Sequence, residues 1–238
     1  MNVVVPSCQC SLIQICRDRL PGRQAGDIAV RCGSGSWPIK VPQGLIHDWV
    51  GSVFIPKATI ADFLAVVRNY EGYPAIYKPA VIQAEPLGGM ANDDRFTMLW
   101  KEKVLFVTAA VDGEYESRYI EIDPKHWYSI SESTRLQAIE GFGQTNMRVL
   151  PPDRGPGYIW RLYSFTKLEQ ADDGLYVELE AFGLTRDVPA TLRWLVDPIV
   201  EHLPRNSLRA TLEETRDAVL ARVNREEEAS RAQLQSSR

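Results

Sequence analysis

The sequence predicts an α+β fold in which one extended antiparallel sheet packs against a single long C-terminal helix. Three observations carry this expectation. Residues 191–223 place Leu192, Leu195, Val196, Ile199, Val200, Leu203, Leu208, Leu212, Val219, Leu220 and Val223 at helical spacing. Arg193, Glu201, Arg205, Arg209, Glu213 and Glu214 occupy much of the opposite face, so one stripe must be buried. Residues 81–184 read almost entirely as strands, and only one strand and a pair of short helices precede them.

In chain order, residues 1–43 form a lead-in expected to be poorly ordered, because Pro21-Gly22, Gly26, Gly33-Ser34-Gly35-Ser36 and Pro38 interrupt any regular element. The folded domain is expected over residues 44–223. It opens with a strand over 45–55, closed by Pro56. Thr59 caps the next helix with Asp62 at its third position, and Ile60, Phe63, Leu64 and Val67 form one face. Glu71-Gly72-Tyr73-Pro74 forces a turn, and a second short helix over 75–78 ends at Pro79.

Strands follow over 81–87, 96–103, 105–111, 115–122 and 127–139, then a Gly/Pro-rich loop over 141–157 and strands over 158–169 and 175–184. Pro198 and Pro204 each remove a backbone donor, which predicts a short helix kinked into a longer one. Residues 224–238 are expected to be a charged C-terminal tail.

The chain has 238 residues, 45% hydrophobic and 24% charged, enough for one domain with a sizeable core. Its net charge of −4 is spread rather than segregated, which argues against a nucleic-acid partner. No apolar run reaches the roughly 20 residues that span a bilayer. The chain as it stands reads as cytoplasmic, with an envelope or secreted location if a true N-terminus is missing, and with room for transient membrane contact. Cys8, Cys10, Cys16 and Cys32 all fall in the lead-in, with spacing too tight and no histidine near enough for a zinc site. No metal and no cofactor is expected. Oligomeric state is not legible.

The hairpin of residues 158–184 fixes a register. Pairing Gln170 with Leu175 sets Lys167 against Glu178, Phe165 against Glu180 and Arg161 against Leu184, a face expected to be wet. The other face sets Leu168 against Val177, Thr166 against Leu179, Ser164 against Ala181 and Leu162 against Gly183. It is small at its centre, and small residues beneath a helix leave room for a pocket, although Trp194 is large enough to fill it.

The order of elements, together with Gly44-Leu45-Ile46-His47-Asp48-Trp49, Trp127-Tyr128-Ser129, Trp160-Arg161-Leu162, Leu184-Thr185-Arg186-Asp187-Val188-Pro189 and Leu203-Pro204-Arg205-Asn206-Ser207-Leu208, resembles bacterial members of the SRPBCC superfamily. That group includes START lipid-transfer domains, birch-pollen-allergen-like proteins and polyketide cyclase-like proteins. The resemblance covers residues 44–220. It implies the helix-grip fold, a curved antiparallel sheet wrapped around the C-terminal helix. It also implies a cavity for a hydrophobic small molecule such as a lipid, sterol or polyketide. It implies no catalytic set.

No nucleotide loop, paired-histidine zinc motif or nucleophile elbow is present. His47, His126 and His202 are scattered and read as surface or capping residues, and Glu178 and Glu180 read as structural. Arg161 and Tyr163 face outward in the predicted register, and a one-residue bulge would turn them toward the cavity. The residues expected to bind ligand are Trp127, Tyr128, Trp160, Arg161, Ser164, Thr166, Leu179, Ala181 and Trp194. Binding or transport of a hydrophobic molecule is the first reading. A cyclase or aromatase using the same cavity, and a partner-binding module with a filled core, are the alternatives.

Overall fold

A computed structural model describes residues 28–33, 38–104, 107–152, 159–186 and 193–236. Ten strands form one curved, unclosed antiparallel sheet: β1 (Ala29–Cys32), β2 (Ile39–Val41), β3 (Gly44–Pro56), β4 (Val81–Met90), β5 (Asp93–Val104), β6 (Val107–Asp123), β7 (His126–Glu140), β8 (Arg148–Val149), β9 (Ile159–Ala171) and β10 (Gly174–Arg186). Their order is β1-β3-β10-β9-β7-β6-β5-β4, with β2 on β3 and β8 on β7. The helices are α1 (Ile60–Val67), α2 (Tyr73–Ile76), preceded by a 3-10 turn over Tyr70–Gly72, and α3 (Arg193–Ser236). This is the helix-grip fold that the resemblance implies.

Several local expectations are met in detail. The Thr59 hydroxyl accepts from the Asp62 amide at 3.1 Å, and the Asp62 carboxylate accepts from the Thr59 amide at 2.9 Å, a reciprocal cap on α1. The β9–β10 register pairs Gln170 with Leu175, Lys167 with Glu178 and Arg161 with Leu184, as the sequence predicts. Others differ. The two strands read over 105–122 are a single strand, β6. Two short strands, β1 and β2, fall in the stretch read as a lead-in and pair with β3. The α3 helix is a single 44-residue element that runs through Pro198 and Pro204 and continues into the charged C-terminal segment.

The main apolar core lies between α3, α1 and the β3/β10/β9 side of the sheet. Val53, Ile55, Leu168, Leu175 and Val177 meet Leu208, Leu212, Val219 and Val223. Full burial of each such side chain is worth about 1.5–3 kcal/mol. The helix comes close to the sheet at Gly51, where a Cβ would stand 2.5 Å from Leu212 Cδ1 and 3.4 Å from Leu208 Cδ2. The missing side chain is what lets the helix settle on β3. Ion pairs then moor the far end of α3: Arg222 to Asp62 at 3.4 Å and Lys57 to Glu227 at 3.0 Å. A second core gathers Tyr70, Phe96, Val111, Tyr115 and Leu136 toward the β5/β6 side.

Candidate functional site

Alternation and register decide which side chains face the helix. Gly51 meets α3, so the odd residues of β3 face inward, and their partners in β10 are Val177, Leu179, Ala181 and Gly183. Crossing the sheet from there, Ala181 pairs with Ser164, Ser164 with Ser131, Ser131 with Ser117, and Ser117 with Asp94. One row along, Leu179 pairs with Thr166, Thr166 with Ser129, and Ser129 with Tyr119. Ser133, next along β7, pairs with Tyr115. The concave face thus carries a belt of hydroxyls over β6, β7 and β9, between the two apolar cores.

The belt is only partly satisfied by the protein. Ser117 donates to Ser131 at 2.9 Å, and Ser133 accepts the Leu162 amide at 2.9 Å. Ser133 is 4% exposed, and its own O–H has no acceptor among the described residues. Ser129, Ser164 and Thr166 are partly exposed and have no side-chain hydrogen-bond partner among the described residues. Hydroxyls in that state require water or a ligand.

One end of the belt is closed by a polar latch. Arg68, just past α1, donates from Nε and Nη2 to the two Asp94 oxygens at 2.9 and 2.8 Å, and its guanidinium lies 4.9 Å from the centre of the Tyr119 ring. The Tyr70 hydroxyl donates to Asp94 at 2.9 Å and lies 3.1 Å from that of Tyr119. Burial above all, then the neighbouring Tyr119 and Asp94, raises the Tyr70 pKa, so the phenol stays protonated. An open cavity of about 300 Å³ adjoins the latch, lined in part by Arg68, Tyr70, Pro86, Met90 and Asp94.

The opposite side carries His47, read from the sequence as a surface or capping residue. It is 4% exposed, faces inward beside Gly183, and its Nε2 lies 2.8 Å from the Thr185 hydroxyl. Burial lowers its pKa to about 4, so the ring is neutral at ordinary pH.

Of the residues expected to bind ligand, Trp127, Ser164, Thr166, Leu179 and Ala181 do face the helix side, with Trp127, Leu179 and Ala181 packed against the main core. Tyr128 pairs with Lys167 and therefore faces the convex side. Arg161 stays outward with Lys167, because the register shift falls beyond it, between Leu184 and Thr185. That same shift turns Trp160 outward, where its ring lies against Gly44 and within 5.9 Å of the Arg186 guanidinium. The Trp194 side chain lies outside the described residues. The face read as wet is in part buried: Val50 is 6% exposed, Asp48 6% and Glu178 8%, and Lys167 reaches Glu178 at 3.2 Å. Burial and the neighbouring Asp48 raise the Glu180 pKa.

Sequence reasoning missed the belt residues on β6 and β7. The signal was there: Ser129, Ser131 and Ser133 alternate directly after the inward Trp127. The 3.6-versus-2 periodicity test weighs apolar residues and passes over an alternation of serines.

No family model matches the chain, and no curated protein matches it. The search of solved structures finds similar folds. The chain is similar to a STAR-related lipid transfer protein from Xanthomonas axonopodis, with 17% identity, 82% of this chain and 99% of that one covered, and a TM-score of 0.48. It is similar to human STARD10, with 10% identity, 92% and 81% coverage, and a TM-score of 0.49. It is also similar to the Zhui aromatase/cyclase from Streptomyces sp. R1128, with 14% identity, 76% and 94% coverage, and a TM-score of 0.42. These likenesses concern fold alone, and the fold itself is read from the sheet and helix described above.

Proposed function

We propose that the chain binds a hydrophobic small molecule between the concave face of the sheet and α3, as a carrier or sensor. The observation that carries this reading is the hydroxyl belt. Ser129, Ser164 and Thr166 are inward-facing, partly exposed and unpartnered among the described residues, while the cores on either side are closely packed. A face meant to be filled by a helix alone would carry bulk there. The lipid-transfer proteins among the similar structures are consistent with this reading. The aromatase/cyclases support a catalytic rival, which would have to work with His47, held neutral against Thr185, or with Asp94, already engaged by Arg68.

The test is a titration with an environment-sensitive apolar dye, on the native chain and on Ala181→Phe. The native chain is expected to bind the dye. Ala181→Phe is expected to lose binding with its melting temperature nearly unchanged, because Ala181 lies at the edge of the main core, beside Ser164, and the ring would turn into the space over the belt. In a filled core the same change would cost about 1–3 kcal/mol, and that cost without dye binding in the native chain would overturn the reading.

A further inference from the structure

We infer that the convex face of the sheet beside β1 is a docking site for the chain's own residues 17–23, whose arginines pair with Asp48 and Glu180 there. This stands apart from the ligand-binding reading, since it concerns the opposite face of the sheet.

The described helices pack on the concave side, where they join the two apolar cores. The convex face still has a buried centre. Val50 pairs with Glu180, Glu180 with Phe165 and Phe165 with Ile130. One row along, Asp48 pairs with Phe182 and Phe182 with Tyr163. The Phe165 and Phe182 rings meet edge to face at 6.0 Å. Val50 and Asp48 are more than nine-tenths buried and Glu180 is partly so, which sets two carboxylates among aromatic rings and hydrocarbon.

Neither carboxylate has an ion pair among the described residues. Lys167 reaches Glu178 instead, at 3.2 Å. Arg31, on the neighbouring strand, acts on both charges from a distance. The Asp48 Oδ1 atom is buried with no hydrogen-bond partner among the described residues. Burial raises the Asp48 pKa, and burial with Asp48 nearby raises that of Glu180. Carboxylates held in that state call for a cation. The Asp48 carboxylate lies over Gly33 at the end of β1, so close that a Cβ there would overlap it.

Residues 1–27 lie outside the described residues and lead into β1. Within them, residues 17–23 carry Arg17, Arg19 and Arg23 against a single acid, Asp18, with Leu20 and Pro21 between the arginines. A guanidinium suits the patch, because it meets a carboxylate through two parallel N–H donors and stacks on aromatic rings. Reach is ample. Arg23 stands eight residues before Arg31, up to about 26 Å of extended chain, and Glu180 lies two strands from β1, about 10 Å away. So short a tether also gives the arginines a high effective concentration at the patch.

The test is trypsin cleavage of the full chain at low salt, with cuts after Arg17, Arg19 and Arg23 followed by mass spectrometry. A synthetic peptide of residues 1–27 is the unprotected reference. A segment docked nine-tenths of the time is open to the protease one-tenth of the time, so cleavage in the full chain is expected to run about tenfold slower than in the peptide. In Glu180→Lys, with its fold checked by circular dichroism, the rate is expected to return to within about twofold of the peptide's. Should that variant not fold, Arg19→Glu/Arg23→Glu places the change in the segment itself. Cleavage after Arg17 in that chain is then expected to match a peptide with the same two changes. A native chain cut at the peptide's rate overturns the docking. Protection that survives in the variants also overturns it, by placing the segment elsewhere. Protection that fades as the chain is diluted assigns the patch to a second copy and overturns it too.

Discussion

The concave face is two surfaces joined edge to edge, and they are built on opposite principles. Beside α3 on β3 and β10, Ile55 and Leu175 are wholly buried, Val53 and Val177 are 2% exposed, and a glycine removes the last obstacle to contact. Two strands away a run of inward residues is serines and a threonine, and several have no side-chain partner among the described residues. The first surface contributes stability, through hydrocarbon burial. The second contributes little to it, and a surface of that kind can vary without unseating the helix.

Substitutions on the two surfaces should separate accordingly. Leu212→Ala, at the contact with Gly51, is expected to lose about 2–5 kcal/mol in urea unfolding. A loss under 1 kcal/mol would mean that the helix is not seated on Gly51.

His47 stands at the border of the two. Its pKa is near 6.5 when unfolded and about 4 when folded, so its contribution is complete above pH 6.5. Below that the unfolded chain takes up a proton that the folded chain refuses, and stability falls as the pH drops toward 4, by up to about 3 kcal/mol. His47→Gln is expected to flatten this part of the stability–pH profile, and an unchanged slope would place the titration elsewhere.

The Lys167–Glu178 pair lies on the convex side, with the glutamate side chain only 9% exposed. Lys167→Glu is therefore expected to cost about 1–3 kcal/mol, more than a fully exposed pair, with partial recovery on adding Glu178→Lys. A cost under 0.5 kcal/mol would show that solvent reaches the pair. The smallest effect is expected in the belt: Ser164→Ala should stay within about 0.5 kcal/mol of the native stability. A larger loss would mean that Ser164 has a structural partner.

What the sequence disclosed follows the same division. The cap at Thr59 and Asp62, the hairpin register and the buried stripe of α3 were legible because each depends on local spacing or on hydrocarbon periodicity. Trp160 was misplaced because a single irregularity in β9 turns it outward, and no local residue announces that shift. Tyr128 was counted with its neighbour Trp127, although alternation places the two on opposite faces. His47 was misread because its burial depends on Gly183 and Thr185, far away in sequence. Glu178 was read as wet from its hairpin partner alone, whereas its second neighbour, Ser52 of β3, places it in the interior of the sheet.

Ser133 has one more consequence. The β7–β9 ladder ends at Glu132 and Tyr163, beyond which β7 bulges at Thr134 and pairs with β8 instead. Strands that part in this way usually leave amides bare, and a bare row of amides is a template on which another chain can add itself. The Ser133 hydroxyl takes the first of them, that of Leu162. One small side chain thus blunts the split in the sheet against self-association.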